Sequence, residues 1–165
     1  MNARISARRV ILTSFFVDFL DIILNFAAAL FTGSIVMTAE LLQGIADLVS
    51  SGLLLVGLGR SKKEVYTWTF LSALVMLILA SSMSFYFGLE RFLYPQEIHN
   101  ISLAYAALLV SVISNGYAFS ISVKRILSDR GFSLVARAFW ESPLLMTKNA
   151  FVLDLMGMSA ALVGL

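Results

Sequence analysis

Five apolar runs, each close to the length that crosses a bilayer, divide this chain and leave few folds open to it. Spanning about 30 Å of hydrocarbon takes roughly 20 helical residues at 1.5 Å each. Residues 10–31, 35–58, 68–89, 101–123 and 149–165 meet or nearly meet that length. Composition agrees: 59% of the 165 residues are hydrophobic, only 13% are charged, and the mean hydropathy is +0.90. A soluble domain carries about 25% charged residues, so this chain needs lipid as part of its solvent. The expected fold is all-α and membrane-integral: an antiparallel bundle of five transmembrane helices, with residues 1–165 forming one transmembrane domain.

The start of the chain poses a first choice. Arg4, Arg8 and Arg9 followed by an apolar run resemble a secretory signal peptide. Asp18 and Asp21 interrupt that run, however, and it outlasts the roughly 7–15 apolar residues of such peptides, so it reads as a retained membrane helix. The turn at residues 31–34 is short enough to force the first two helices into a hairpin. The longest connection, residues 124–148, contains Pro143 and a mixed stretch at 132–140 that reads as a short interfacial helix. Phe85, Tyr86, Phe92 and Tyr94 fit an interfacial aromatic belt.

Charge placement sets an orientation. If the helices alternate, Arg4, Arg8, Arg9, Arg60, Lys62, Lys63, Lys124, Arg125, Arg130, Arg137 and Lys148 share one side, and Arg91 alone takes the other. Basic loops stay in the cytoplasm, which places the N-terminus there in a multi-pass protein, with the cell membrane as the simplest location. The chain stops at Leu165, 17 residues into the fifth run and without a polar flank, as a piece of a longer protein would.

Several chemistries are excluded or disfavoured. The net charge of +2 arises from these short loops, so it marks topology and not a nucleic-acid face. Cysteine is absent, which removes disulfides, thiolate zinc sites, iron–sulfur clusters and a thiol nucleophile. The single histidine, His99, reads as a loop residue, and no Gly-x-Ser-x-Gly elbow accompanies it.

The informative residues are the polar ones inside the apolar runs, since each ionisable group there costs about 2.5–3.5 kcal/mol on insertion scales. Asp18, Asp21 and Asn25 recur at intervals of three and four, on one face of the first helix. Glu40, Gln43, Asp47 and Ser50 or Ser51 do the same on the second, and Ser111, Asn115 and Ser122 form a stripe on the fourth. Asp154 lies about a turn into the fifth, among small residues. Oxygen donors from several helices can thus converge on a cation, and carboxylates can exchange that cation for protons. Structural readings stand beside this one. Asn25 and Asn115 suit interhelical hydrogen bonds, Glu40 suits interfacial water, and Asp18 suits a salt bridge near the helix end. Asp47 and Asp154 lie deeper without a basic partner at helical spacing, which favours function for them.

These segments resemble, in order, the cation diffusion facilitator (cation efflux) family of proton-coupled divalent-cation exporters. The polar stretch ending in Asn25 is similar to the family's first helix. Thr32, Gly33 and Ser34, followed by residues 39–50 with Gln43 and Asp47, resemble its turn and second helix. Residues 90–98 are similar to the segment after the third helix, and Asp154 with Gly157 to the fifth. The resemblance implies a tetrahedral metal site with two ligands from each of helices two and five. Asp47 and Asp154 match the second position of each motif, while Gln43 and Ala150 occupy the first. Ala150 brings no donor, so the implied site is oxygen-rich, with Gln43, Asp21 and Asn25 as additional donors. The resemblance also implies a sixth helix, a cytoplasmic domain and a homodimer in a full-length member.

The expected function is therefore divalent metal cation efflux in exchange for protons, with zinc, iron, manganese or a similar ion as substrate. It is not the function of an enzyme. Two rivals stand: a non-transporting sensor or scaffold with a degenerate site, and an intramembrane enzyme using two aspartates as acid and base.

Overall fold

A computed structural model describes residues 6–94, 100–127 and 135–165. The described residues form six helices and no strand: α1 (Ala7–Thr32), α2 (Ile35–Gly57), α3 (Lys62–Leu93), α4 (Ile101–Ile126), α5 (Val135–Glu141) and α6 (Leu145–Gly164). Four of them, α1 to α4, are long and apolar enough to cross a membrane. The fifth long helix, α6, carries Lys148, Asn149 and Asp154 in 20 residues and is not among those four. Its fitness for the membrane rests on packing: α4 flanks most of its length, and α1 and α2 also touch it.

The helix ends follow from local chemistry. Ser6 caps α1, its hydroxyl accepting from the Arg9 N–H at 3.2 Å. At the other end Gly33 takes a left-handed conformation, φ 61°, and donates its N–H to the Ala29 carbonyl. That conformation strains any residue with a side chain. Thr32 donates to the Ala28 carbonyl at 2.7 Å and accepts from the Ser34 N–H at 3.1 Å, and Ser34 in turn caps α2. Thr32, Gly33 and Ser34 are thus a complete reversal in miniature, which builds the expected hairpin.

Most helices are longer than their apolar runs. α3 begins at Lys62 and not at 68, because Ser61 caps it and also donates to Glu64 at 2.9 Å. α4 continues to Ile126, and α6 begins at Leu145. Hydropathy marks only the part of a helix that meets lipid, whereas backbone hydrogen bonding runs on into the interface. The expected interfacial helix is α5 at Val135–Glu141; its Ala138 and Phe139 dock on Val123, Ile126, Leu127 and Phe151. Arg4, His99, Arg130, residues 95–98 and the start of the 132–140 stretch lie outside the described residues.

Three ties, two of them between helix ends, show how the helices meet. Asn100, at the start of α4, donates to the Phe31 carbonyl at the end of α1. Arg125, in the last turn of α4, donates through Nε to Thr147 in the first turn of α6 at 2.8 Å. Midway along α2 and α3, Ser50 and Ser72 each donate to the other's carbonyl, at 3.0 and 2.9 Å. Consecutive long helices therefore run in opposite directions. Their seams are closed by small residues, as membrane bundles require in the absence of a hydrophobic drive between helices. Large side chains such as Phe16, Phe19, Phe26, Phe70 and Phe92 point outward.

The tightest seam lies at Gly57, where a Cβ would stand 2.6 Å from the Met146 methyl and 2.8 Å from the Trp68 Cβ. Gly57→Ala is expected to lower stability by about 1–3 kcal/mol, read as a lower thermal midpoint of the detergent-solubilised protein. Gly52→Ala is the control, since its Cβ meets only Phe15 at an ordinary 3.8 Å. Equal midpoints for the two variants would refute this account of the seam.

Candidate functional site

Turned inward, the polar faces of α1, α2, α4 and α6 meet in the bundle interior. Asp18, Asp21, Asn25, Asp47, Ser50, Ser51, Ser111, Asn115, Ser122 and Asp154 are all buried, as their spacing of three and four predicts. Among the described residues no basic side chain forms an ion pair with any of these carboxylates; the ion pairs Arg60–Glu64 and Arg137–Glu141 lie at exposed helix positions. Asp18, Asp21 and Asp154 are instead held by neutral donors from another helix.

Asp18 accepts from the Ser51 hydroxyl at 2.7 Å. The salt bridge expected for Asp18 is absent among the described residues, because a hydroxyl from α2 fills the place where a cation would stand. Asp21 is the most heavily bonded, accepting from Ser111 at 3.1 Å, Ser114 at 3.0 Å and the Asn115 amide. Asn115 also donates to the Ser111 carbonyl, and its Oδ1 rests where a Cβ on Gly157 would come within 2.9 Å. The glycine lets α6 close on α4 and holds the amide against Asp21. Asp154 accepts from Ser122 at 2.9 Å, with Ser14 of α1 also against its carboxylate.

Two buried oxygens have no hydrogen-bond partner among the described residues: Asp47 Oδ1 and Asn25 Oδ1. An unpartnered buried acceptor costs about 1–3 kcal/mol, which sets Asp47 Oδ1 and Asn25 Oδ1 apart from the bonded oxygens of Asp18, Asp21 and Asp154. Asp47 lies within electrostatic reach of Asp18 and Asp154. Gln43, one turn earlier on α2, is half-buried with its side chain beside Asp47. Ala150, one turn before Asp154, is fully buried in an apolar cluster with Val10, Leu54 and Met76 and offers no donor.

The residues named from sequence thus divide. Asp47 lies within electrostatic reach of Asp18 and Asp154, with Gln43 beside it. Asp21 is committed to α4, and Asn25 keeps a bare oxygen. Among the described residues no three His, Asp or Glu side chains stand close enough to form a ligand set by themselves. Ser14, Ser114 and Asn149 belong to the polar interior as well, the last donating to Ser72 at 2.9 Å. Ser14, four residues before Asp18, carried a signal in its spacing; Ser114 and Asn149 stand at no such interval from a charged residue of their own helices.

The comparisons with known proteins now bear on this arrangement. A family model described as the cation efflux transmembrane domain matches residues 11–165. The chain is 25% identical over 177 aligned residues to the proton-coupled zinc antiporter SLC30A9, mitochondrial, of Xenopus laevis, covering 95% of this chain and 32% of that protein. It is 24% identical over 130 residues to the human protein of the same name, covering 72% and 23%. The chain therefore spans a third or less of the length of these relatives. No solved structure matches it.

The division between committed and bare oxygens can be measured. Asn115→Ala, which takes a donor from Asp21, is expected to cost about 1–3 kcal/mol in the thermal unfolding of the metal-depleted protein. Asp47→Asn, which breaks no bond at Oδ1, is expected to cost nothing. A loss on Asp47→Asn as large as that on Asn115→Ala would mark Asp47 as a structural residue.

Proposed function

Because this chain belongs to the cation efflux family, we propose that it forms the membrane portion of a transporter that moves a divalent metal cation outward in exchange for protons. The observation that carries this reading is the bare Asp47 Oδ1, buried within electrostatic reach of the Asp18 and Asp154 carboxylates, in a cluster that has no basic residue among the described ones. A cation supplies both the missing partner for Asp47 and the missing counter-charge.

The donors offered are carboxylate and amide oxygens: Asp47, Asp154 and Gln43, with Asn25 Oδ1 as a further unpartnered oxygen. Such a set suits hard divalent ions, and zinc accepts carboxylates as well. The relatives' names specify zinc for those proteins. Here the substrate is a divalent cation of the zinc, iron and manganese group. Asp21 and Asp18 play a different part, holding α1 against α4 and α2 while the ion sits between α2 and α6. When the bundle turns the site outward, protons replace the ion on the carboxylates, and the protonated site returns. The basic helix ends favour a cytoplasmic N-terminus, and the full-length protein works as a homodimer in the cell membrane.

A second reading draws on Ala150. A methyl group in place of one ligand, sealed in an apolar cluster, favours a relative that binds a metal weakly and signals or scaffolds without moving it. Flux separates the two. Full-length protein in inside-out vesicles is expected to take up at least one ion from a panel of zinc, iron, manganese, cobalt and cadmium when a proton gradient is imposed. Asp47→Asn and Asp154→Asn are each expected to reduce that uptake to background. Folded wild-type protein that moves none of the five ions would rule out the transporter.

A further inference from the structure

One end of the bundle holds a cavity that the proposed transport cycle does not use. α1 begins there, α2 and α4 end there, and α3 and α6 begin there. The cavity, about 380 Å³, is lined by Arg60 just before α3, by Lys62 at the start of α3 and by Arg125 at the end of α4, and none of its described lining residues is acidic. Arg60 reaches Glu64 at 3.8 Å with both side chains about half exposed, so that pair stays open to water and to competing anions. The Nε bond to the buried Thr147 fixes the Arg125 guanidinium on the cavity wall. The first turn of α6, Leu145 to Thr147, forms another wall, and that helix has no side-chain cap on its N-terminus. Three cations and an uncapped helix start facing one space attract an anion bearing several acceptor oxygens, such as a phosphate.

This cavity adjoins a second one of a different character. A groove of about 400 Å³ between α3 and α6 shares Tyr66 and Leu145 with the basic cavity and continues along Phe70, Ala73, Phe139 and Val152. From Tyr66 to Ala73 and from Leu145 to Val152 is seven residues on each helix, so the groove descends about 10 Å into the bilayer at 1.5 Å per residue. Its walls are apolar and aromatic, and Lys148 at its rim is drawn over the Phe139 ring at 5.4 Å. A charged head chamber opening into a lipid-facing apolar channel has the shape of one kind of ligand.

We propose that the two cavities together form a binding site for an anionic phospholipid, with its phosphate head among Arg60, Lys62 and Arg125 and one acyl chain in the α3–α6 groove. The adjoining groove argues for a lipid over a soluble phosphate, which would fill only the basic half. Bound there, the lipid bridges two helices whose contact is otherwise slight, centred on the Asn149–Ser72 hydrogen bond.

The test uses the full-length protein, delipidated in detergent and titrated with phosphatidylglycerol, phosphatidylcholine, inorganic phosphate or glycerol 3-phosphate. Retained lipid is counted by native mass spectrometry and the midpoint of thermal unfolding is followed. Phosphatidylglycerol is expected to be retained and to raise the midpoint well beyond phosphatidylcholine, and neither soluble phosphate should match it. The double variant Arg60→Gln, Lys62→Gln is expected to weaken the response about fivefold or more for each cation removed. Ala73→Trp, at an exposed position in the groove, is expected to weaken it with all charges in place. Ala73→Trp also keeps the test open should the charge variant fail to fold. Equal response to both lipids, or an unchanged response in Ala73→Trp, would overturn the proposal. So would inorganic phosphate alone reproducing the full effect, which would leave a soluble-anion site.

Discussion

Three of the carboxylates that this bundle buries, Asp18, Asp21 and Asp154, find hydrogen-bond donors on another helix, and among the described residues none finds a basic one. A hydroxyl or amide satisfies an oxygen without cancelling its charge, so the interior stays acidic while its geometry is fixed. Ser51 holds Asp18, the Ser111–Ser114–Asn115 group holds Asp21, and Ser122 holds Asp154. Each bond crosses from one helix to another. The same bonds that assemble the bundle therefore also set where its acidic groups lie.

Against that background, the arrangement of the apolar residues is permissive. Small residues such as Gly57 and Gly157 bring backbones close enough for short polar side chains to reach across. Large ones face outward, where lipid is a better neighbour than another helix. One core cluster, with Val10, Ile11 and Leu54, also takes in Ala46 and Leu153 beside Asp47 and Asp154, while a second, with Ala28, Met37 and Leu108, packs the end near the α1–α2 reversal.

Much of this was legible in the residues. The stripes Asp18–Asp21–Asn25 and Ser111–Asn115–Ser122 recur with helical period inside apolar runs, and burial followed, because only one face of each helix can avoid lipid. The Thr32–Gly33–Ser34 reversal was legible for the same local reason: each of its hydrogen bonds joins residues no more than four apart. What could not be read was the partner of each polar group. That Ser51 would answer Asp18 in place of a cation, or that Ser50 and Ser72 would exchange hydrogen bonds, depends on the rotation of one helix against another, which no local spacing encodes. The helix ends were misjudged where charged residues continue a helix beyond the hydrocarbon, as at Lys62 and Leu145.

The two-residue link between α1 and α2 limits how this bundle can move. With only Gly33 and Ser34 between them, and with the Thr32 and Ser34 hydroxyls occupied on both sides of the reversal, neither helix can slide along the other by even one turn. Their relative freedom is a scissor-like opening about that pivot, widest at the far ends and smallest beside it. Asn25, eight residues from Gly33, therefore experiences less displacement than Asp18 and Asp47, which lie farther from the pivot. α6 is tied to the end of α4 by the Arg125–Thr147 hydrogen bond and to its middle by Ser122–Asp154, so Asp18 and Asp47, far from the reversal, are the groups that a scissor opening carries farthest from α4 and α6.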